Sequence, residues 1–333
     1  MITRNRLLLV LLAASCTTAF ARSEEIVQRH LSAGPGGKLL VDVDFGTVDV
    51  TSGSDNEAVV NGRRVVDVSD QSQEKEFLAA APITVSQEGN TITVRSRSNR
   101  QWHWNHQHIQ MDAHYTVQLP KNFNVDLRTS GGSIGVKQLN GELKADTAGG
   151  SLNLQAVHGP INARTSGGQV KLADCEGLVK VRTNGGNIDS TGGSGSLNAQ
   201  TSGGAVSIRN FAGSVETTSN GGRMDFEDID GSLNARTAGG AIAATVTNPN
   251  DVSLETNAGA ISLAIPSSGG FKIDASTSIG GVHTDLPVTI ERKHDGILVG
   301  DLNGGGKSVH LRTSAGSISI KALPPKTAAV SSQ

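Results

Sequence analysis

Apolar and polar residues alternate in short runs along most of the chain beyond residue 125. In the run LKADT, residues 143–147, the first, third and fifth residues form one set, and Lys and Asp form the other. Such period-2 alternation places successive side chains on opposite faces of a β-strand. The pattern predicts many short strands, each with one buried and one solvated face.

Pairs of glycines separate these runs at a constant interval. The pairs lie 18 residues apart without a slip: Gly131-Gly132, Gly149-Gly150, Gly167-Gly168, Gly185-Gly186, Gly203-Gly204, Gly221-Gly222 and Gly239-Gly240. Self-similarity at a fixed short period is typical of solenoids and repeat arrays. Glycine is expected at these corners because the chain there needs positive φ and a close approach between neighbouring coils.

Each repeat reads as two strands and two corners. After Gly167-Gly168, for example, Val170 and Leu172 alternate inward, Cys175 takes an inward corner position as a small buried hydrophobe, and a second alternating run follows. Stacking of the repeats is predicted to align inward threonines whose hydroxyls bond within the stack: Thr147, Thr165, Thr183, Thr201 and Thr237.

The spacing of the inward positions selects one architecture. A left-handed β-helix would repeat every six residues, a calcium-binding β-roll would need a Gly- and Asp-bearing nonapeptide, and a meander would need regular two-residue turns. None of these matches the repeat. The predicted fold is all-β, a right-handed parallel β-solenoid with 18-residue coils, its hand following the general crossover rule.

The regular repeats occupy only part of the chain. We predict an N-terminal β cap at 22–125 joined to the solenoid, solenoid repeats at 126–322, and a disordered tail at 323–333. After Ala244 the period loosens into degenerate copies around Gly259, Gly280 and Gly316. Loosened terminal repeats are expected because an open solenoid end exposes unpaired strand edges.

Residues 1–21 have the pattern of a secretory signal peptide. Arg4 and Arg6 precede a short apolar run, and Ala19-Phe20-Ala21 forms a small-x-small cleavage site. We therefore expect an exported protein of the periplasm, cell envelope or extracellular space. An alternative is a lipid anchor at Cys16, which follows small residues.

The net charge and the cysteine content limit the classes of binding partner that we expect. Loss of Arg4 and Arg6 lowers the basic count from 29 to 27 against 31 acids, a net charge of −4. This mild acidity argues against nucleic acid as a partner. The mature chain has no run suited to crossing a membrane, and Cys175 would be its one cysteine, so no internal disulfide is expected.

Three motifs in the sequence resemble catalytic or ligand-binding motifs, but their positions are also explained by the repeat. Ser133 sits in G-x-S-x-G, but a strand rather than a helix is predicted to follow. The run 301–308 approximates a P-loop, again without the helix that would bind phosphate. A partial basic stripe on the outer face of the second strands is a candidate contact for acidic glycans: Lys144, Arg164, Lys180, Arg182 and Arg236.

The one segment that does not repeat is rich in histidine. Its candidate metal ligands are His106, His108, Asp112 and His114, which point outward together if the strand around Tyr115 faces inward. Imidazoles at i and i+2 on one strand face could share Zn²⁺ or Cu²⁺ with a third ligand. The alternative is an exposed polar loop with no metal; no cofactor is predicted.

The chain resembles the bacterial putative-adhesin family of β-strand-repeat domains. The resemblance rests on GTVDV at 46–50, YTVQLPKNFNVDLRTSGGSIGV at 115–136, the Gly-pair repeats, and LRTSAGSISIKA at 311–322. It implies an exported, pectin-lyase-like right-handed solenoid and supplies no catalytic residues.

Two functions compete. The first is a non-catalytic, adhesin-like scaffold that binds a glycan or an envelope surface protein. The second is a polysaccharide lyase or hydrolase, which would need clustered charged residues and aromatic platforms on adjacent coils. Because the regular repeats contain no Trp or Tyr and no stacked carboxylate pair, we predict that the protein is not an enzyme.

Overall fold

The computed structural model describes residues 22–67, 78–98 and 110–323. The predicted signal peptide, Cys16, His106, His108 and residues 324–333 of the predicted tail lie outside this range. Among the described residues, no helix is long and apolar enough to cross a membrane.

Strands make up 71% of the described chain, and residues 78–80 are helical. The strands before the regular repeats and at their entry are β1 (Arg22–Ser32), β2 (Gly37–Val43), β3 (Thr47–Ser52), β4 (Glu57–Asp67), β5 (Thr84–Glu88), β6 (Thr91–Ser96), β7 (Gln110–Leu119), β8 (Phe123–Thr129) and β9 (Ile134–Asn140). Strand β8 spans residue 125, so the boundary predicted there between the N-terminal cap and the solenoid repeats stays a prediction.

The regular repeats continue through strands β10 (Leu143–Thr147), β11 (Leu152–His158), β12 (Ile161–Thr165), β13 (Val170–Ala173), β14 (Glu176–Thr183), β15 (Ile188–Thr191), β16 (Ser194–Thr201), β17 (Val206–Ser219) and β18 (Met224–Gly239), and the loosened copies begin with β19 (Ile242–Ala258) and β20 (Ile261–Ile265). The remaining strands are β21 (Phe271–Ile279), β22 (Val282–Thr284), β23 (Thr289–His294), β24 (Ile297–Leu302), β25 (Lys307–Ala315) and β26 (Ile318–Ala322).

Strands of successive repeats pair in parallel. Ala145 of β10 lies opposite Leu127 of β8 and Ala163 of β12, so paired residues are 18 positions apart. Strand β11 pairs in the same way with β9 and β13. The all-β, solenoid-like fold predicted from the sequence is therefore confirmed, because each repeat extends two parallel ladders.

The buried core follows the predicted alternation. In β12 the side chains of Ile161, Ala163 and Thr165 are buried, while the two between them face outward. Cys175 is 3% exposed at its inward corner, as predicted, and burial raises the pKa of its thiol. One continuous apolar core runs through the stack and supplies the burial that drives folding.

The glycine pairs serve a narrower purpose than predicted. Among the seven regular pairs only Gly240 has positive φ, so the expectation of positive φ was wrong for the others. The second glycine of each pair is required by close approach instead. A Cβ at Gly168 would lie 2.0 Å from the carbonyl oxygen of Gly150, and one at Gly186 would lie 1.9 Å from that of Gly168.

The inward threonines that precede the glycine pairs bond to the glycine corners of neighbouring coils, which confirms the predicted ladder; at Thr237 this is the bond donated to the Gly222 carbonyl. The hydroxyl of Thr165 donates to the Gly150 carbonyl at 2.8 Å and accepts from the Gly168 N–H at 3.2 Å. The same two bonds recur at Thr147, Thr183 and Thr201 and, with serine in place of threonine, at Ser219. Buried backbone groups at the corner are thereby satisfied.

The opposite corner uses left-handed backbone at non-glycine residues. One position of the repeat has positive φ in every copy from residue 138 to residue 228. In five copies the residue there is not glycine and has φ between 50° and 58°: Gln138, Ala156, Asp174, Asn210 and Asp228. In the sixth copy the residue is Gly192, with φ 71°. Each of the five non-glycine residues precedes the inward corner residue of its repeat. This conformation costs roughly 1–2 kcal/mol for a residue with a Cβ, so the surrounding coils must hold it in place.

Both ends of the stack depart from chain order. Strands β25 and β26 lie between β19–β20 on one side and β21–β22 on the other, with all these pairings parallel. At the other end β2 lies between β8 and β6, and β3 lies between β9 and β7. The coil that comes last in the sequence is therefore an inner coil of the stack.

Antiparallel strands extend the terminal coils. Strand β4 pairs with β7 and β1 pairs with β4, while β5 pairs with β6. At the C-terminal end β24 pairs with β21, and β23 pairs with β24. Near the N-terminal end the 2%-exposed Arg64 forms an ion pair with Glu25 and donates to the Ala81 carbonyl at 2.7 Å.

Candidate functional site

The predicted basic stripe lies on the outer face of the ladder that runs from β8 through β10, β12, β14, β16 and β17 to β18, where Arg236 lies. In parallel register, Arg164 of β12 lies opposite Asp146 of β10 on one side and Arg182 of β14 on the other. Lys180 precedes Arg182 by two residues and therefore shares its face. Period-2 alternation thus brings Arg164, Lys180 and Arg182 together, as the sequence indicated.

The cations border two adjoining hollows on this face. The larger, of about 410 Å³, is lined by Arg128, Arg164 and Arg182 together with hydroxyl and amide side chains such as Ser166 and Asn184. The smaller, of about 260 Å³, shares Arg164 and Arg182 and adds Lys180 with three neutral amides: Asn162, Asn198 and Gln200. We call the surface formed by Arg164, Lys180, Arg182 and these three amides the cationic groove.

Other members of the stripe are neutralised by acids nearby. Lys144 bonds to Glu142 at 2.8 Å, and this contact raises the pKa of Lys144 and lowers that of Glu142. Arg236 Nε lies 3.1 Å from the Glu255 carboxylate. These two cations therefore present less free charge to a ligand than sequence alone suggested.

Arg128 at the edge of the larger hollow is also paired. Its Nε lies 3.3 Å from Asp126 Oδ1. Within the described residues, by contrast, Arg164, Lys180 and Arg182 make no ion pair or side-chain hydrogen bond, and all three are exposed. Uncompensated charge is concentrated in the cationic groove.

This arrangement costs the protein some stability. Arg164 and Arg182 are directly opposed in neighbouring strands, which lie about 4.8 Å apart in a sheet. Like charges directly opposite each other are destabilising, by about 0.9 kcal/mol for unit charges at that distance in water, and the carboxylate of Asp146 on the other side of Arg164 offsets part of this repulsion. An anion bound between the two guanidinium groups would remove this repulsion.

The candidate metal ligands are only partly within the described chain. Asp112 and His114 point outward from β7, whereas Ala113 and Tyr115 of the same strand are buried. The predicted outward direction of these two candidate ligands is therefore correct. Each has a protein partner: Asp112 lies 3.9 Å from Arg63, and His114 lies 3.1 Å from Asp49. The described residues contain no group of three or more His, Cys, Asp or Glu suited to a metal ion. With His106 and His108 outside them, the metal site stays a proposal.

The structure places the other two motifs on strands and turns. Ser133 immediately precedes β9, and the run 301–308 joins β24 to β25 through a glycine turn. Neither lies at the start of a helix, which the hydrolase elbow and the P-loop both require. Sequence reasoning missed the amide rim of the cationic groove, although the outward Asn and Gln positions of the repeat were available as a signal.

Comparison with solved structures finds remote similarity. A putative adhesin from Parabacteroides merdae ATCC 43184 is 9% identical with a TM-score of 0.37, covering 90% of this chain and 97% of its own. A putative adhesin from Bacteroides fragilis NCTC 9343 is 11% identical with a TM-score of 0.30, covering 90% and 98%. A structure from Parabacteroides distasonis ATCC 8503, described as a putative lipid binding protein, is 14% identical with a TM-score of 0.25, covering 90% and 97%. At these TM-scores the similarity carries no part of the argument.

A family profile gives the firmer result. No curated protein matches the chain, but the profile of Toastrack DUF4097 matches residues 40–321. The match spans the N-terminal strands, the regular repeats and the inserted C-terminal coil, and it confirms the resemblance to a family of adhesin-like domains of unknown function. The chain therefore belongs to the Toastrack family DUF4097.

Proposed function

We propose that this protein is an exported, non-catalytic, adhesin-like binding protein of the cell envelope. In this proposal a right-handed solenoid of 18-residue coils, closed at its start by a β cap, acts as a rigid scaffold for a binding surface. The signal-peptide pattern of residues 1–21 supports export.

The observation that carries the proposal is the cationic groove. Its charges stand on strands whose positions are fixed by parallel pairing on both sides, since β12 pairs with β10 and β14. A binding surface built on regular strands keeps its geometry and loses little entropy when a ligand binds. Residues left unpaired in such a place are available for a partner.

The competing proposal is a polysaccharide lyase or hydrolase. Hydrolysis of a glycosidic bond by the common route uses two carboxyl groups on either side of the bond. Among the described residues that line the two hollows, Asp146 is the one carboxylate. This composition favours binding over hydrolysis.

Co-sedimentation tests the proposal. The purified chain from residue 22 is mixed with envelope fractions and with insoluble polysaccharides, and the pellet and the supernatant are both assayed. We expect the protein in the pellet of at least one fraction, with no reducing ends and no unsaturated sugars released. Absence from every pellet would exclude the binding function, and release of sugar fragments would establish the enzyme instead.

A further inference from the structure

We infer that the cationic groove binds an acidic polysaccharide through the carboxylates of its uronic acid units. This inference rests on the proposed binding function and specifies its site and ligand class. It starts from the three exposed cations, Arg164, Lys180 and Arg182, none of which makes an ion pair within the described residues. The nearest carboxylate in register is that of Asp146, opposite Arg164.

Guanidinium groups define the kind of anion. Arg binds carboxylates with two parallel N–H···O bonds, and this fork geometry is stronger and more directional than a contact to a single point charge. Arg164 and Arg182 stand on adjacent strands in register, so their guanidinium groups can contact one carboxylate together or two successive ones. Lys180, on the same strand as Arg182, supplies a third positive charge about 6.6 Å along the strand.

The rim defines what carries the carboxylates. Asn162 and Asn198 flank Lys180 in register, and Gln200 flanks Arg182. Side-chain amides both donate and accept hydrogen bonds, which suits sugar hydroxyls. On the far side of this rim Asn198 donates to the Glu216 carboxylate at 2.8 Å, so within the described chain Asn162 and Gln200 are the amides with free donors. A hydrogen-bonding rim around a positive centre matches a ligand with many hydroxyls and a few carboxylates.

The dimensions favour a polymer over a small acid. The larger hollow extends across successive coils from Arg128 to Arg182, with Asp146 in register between Arg128 and Arg164, so the uronic carboxylates are expected over Arg164 and Arg182. The coils stack at about 4.8 Å, which is similar to the length of one sugar unit in an extended chain. A polysaccharide laid across the coils would therefore place a new sugar near each successive strand.

Two other anionic partners fit less well. No aromatic side chain lines either hollow among the described residues, whereas single-stranded nucleic acid binding relies on base stacking. An anionic membrane would be contacted through basic and apolar residues together. Leu178, on the same strand face as Lys180, is the one exposed large apolar side chain beside the described groove, and an isolated exposed apolar residue is normal for a soluble surface.

The test compares two triple variants by calorimetry with polygalacturonate at low ionic strength. Arg164→Gln/Lys180→Gln/Arg182→Gln removes the groove cations, and Lys272→Gln/Lys293→Gln/Lys307→Gln removes the same charge from exposed positions elsewhere. We expect at least a tenfold loss of affinity for the first variant and less than a twofold change for the second. Neutral dextran should not bind, and both variants should retain the far-UV circular dichroism of the wild type.

Each other outcome has a defined meaning. Equal losses in the two variants, or none in the groove variant, would overturn the groove as the site while leaving the binding function in place. Tighter groove-dependent binding to phosphatidylglycerol vesicles or to single-stranded DNA would overturn the ligand class. Failure to bind polygalacturonate together with retention by an envelope fraction would refute this inference alone, whereas failure with every fraction would also refute the proposed function.

Discussion

Replacement of Gly168 by Ala is expected to lower the free energy of unfolding by about 3 kcal/mol or more, at the upper end of the range for overpacking. The new Cβ would lie 2.0 Å from the carbonyl oxygen and 2.4 Å from the carbonyl carbon of Gly150. Both are backbone atoms of the neighbouring coil, so no side-chain rotation relieves the clash. The coils must separate locally, which also weakens the bond from the Gly168 N–H to the Thr165 hydroxyl.

Gly167 provides the matched control one residue earlier. A Cβ there would meet no atom closer than 3.8 Å, its φ lies outside the left-handed region, and the residue is exposed. Gly167→Ala should change stability by less than about 0.5 kcal/mol, as is usual for surface substitutions. Urea unfolding followed by far-UV circular dichroism measures both variants. Equal effects at the two positions would contradict the assignment of close coil contact to the second glycine.

Removal of residues 307–333 is expected to unfold the C-terminal end of the stack. The lost strands β25 and β26 separate β19–β20 from β21–β22. Their inward residues Val309, Leu311, Ile318 and Ile320 are all 0% exposed. Burial of such side chains contributes about 1.5–3 kcal/mol each, so the loss approaches the entire stability of a typical domain.

Truncation after Leu323 is the control, because it keeps every pairing of the described chain, including the bond from the Leu323 N–H to the Ile265 carbonyl. Limited proteolysis with mass spectrometry should show rapid cleavage within 271–302 in the variant that lacks residues 307–333, and not in the variant that ends at Leu323. Aggregation is also expected there, since β19 and β20 would present unpaired strand edges. Equal protease resistance of the two truncations would contradict the inner position of the last coil.

The repeat pattern explains how much of the fold was predictable. Alternation and the fixed interval between glycine pairs correctly placed the inward residues, the threonine ladder and the buried Cys175. The left-handed backbone at positions such as Ala156 was not predictable, because the residue type at that corner changes from copy to copy, from Ala156 to Gly192 and Asp228. The stack order at the ends was not predictable either, because an alternating run shows which face is buried but not which strand lies beside it.

The site was predictable to a similar degree. Outward alternation identified the basic residues of the stripe, yet their free charge depends on contacts within and between coils. Lys144 and Arg236 are engaged by acids, at Glu142 and Glu255 respectively, while Arg164 lies between Asp146 and Arg182 in register and makes no ion pair among the described residues. The difference arises from three-dimensional pairing, so a one-dimensional list of basic residues could not separate the occupied cations from the available ones.

The function proposed for the groove also explains a local cost. Opposed arginines at Arg164 and Arg182 weaken the sheet slightly, and proteins commonly accept such costs where a binding site needs them. The surrounding coils compensate through continuous apolar burial and the repeated threonine bonds. A regular solenoid can therefore hold a repulsive pair of cations at fixed spacing.

Covalent capture of the ligand tests the cationic groove most directly. Polygalacturonate activated with a carbodiimide forms amides with nearby lysine amines, and peptide mass spectrometry locates the modified residues. Lys180 lies in the groove, whereas Lys171, which is also exposed, lies on the other strand of the same repeat. Relative to labelling by activated acetate, we predict that the polymer modifies Lys180 at least fivefold more than Lys171. Equal labelling of the two lysines, or preferential labelling of Lys171, would contradict the account.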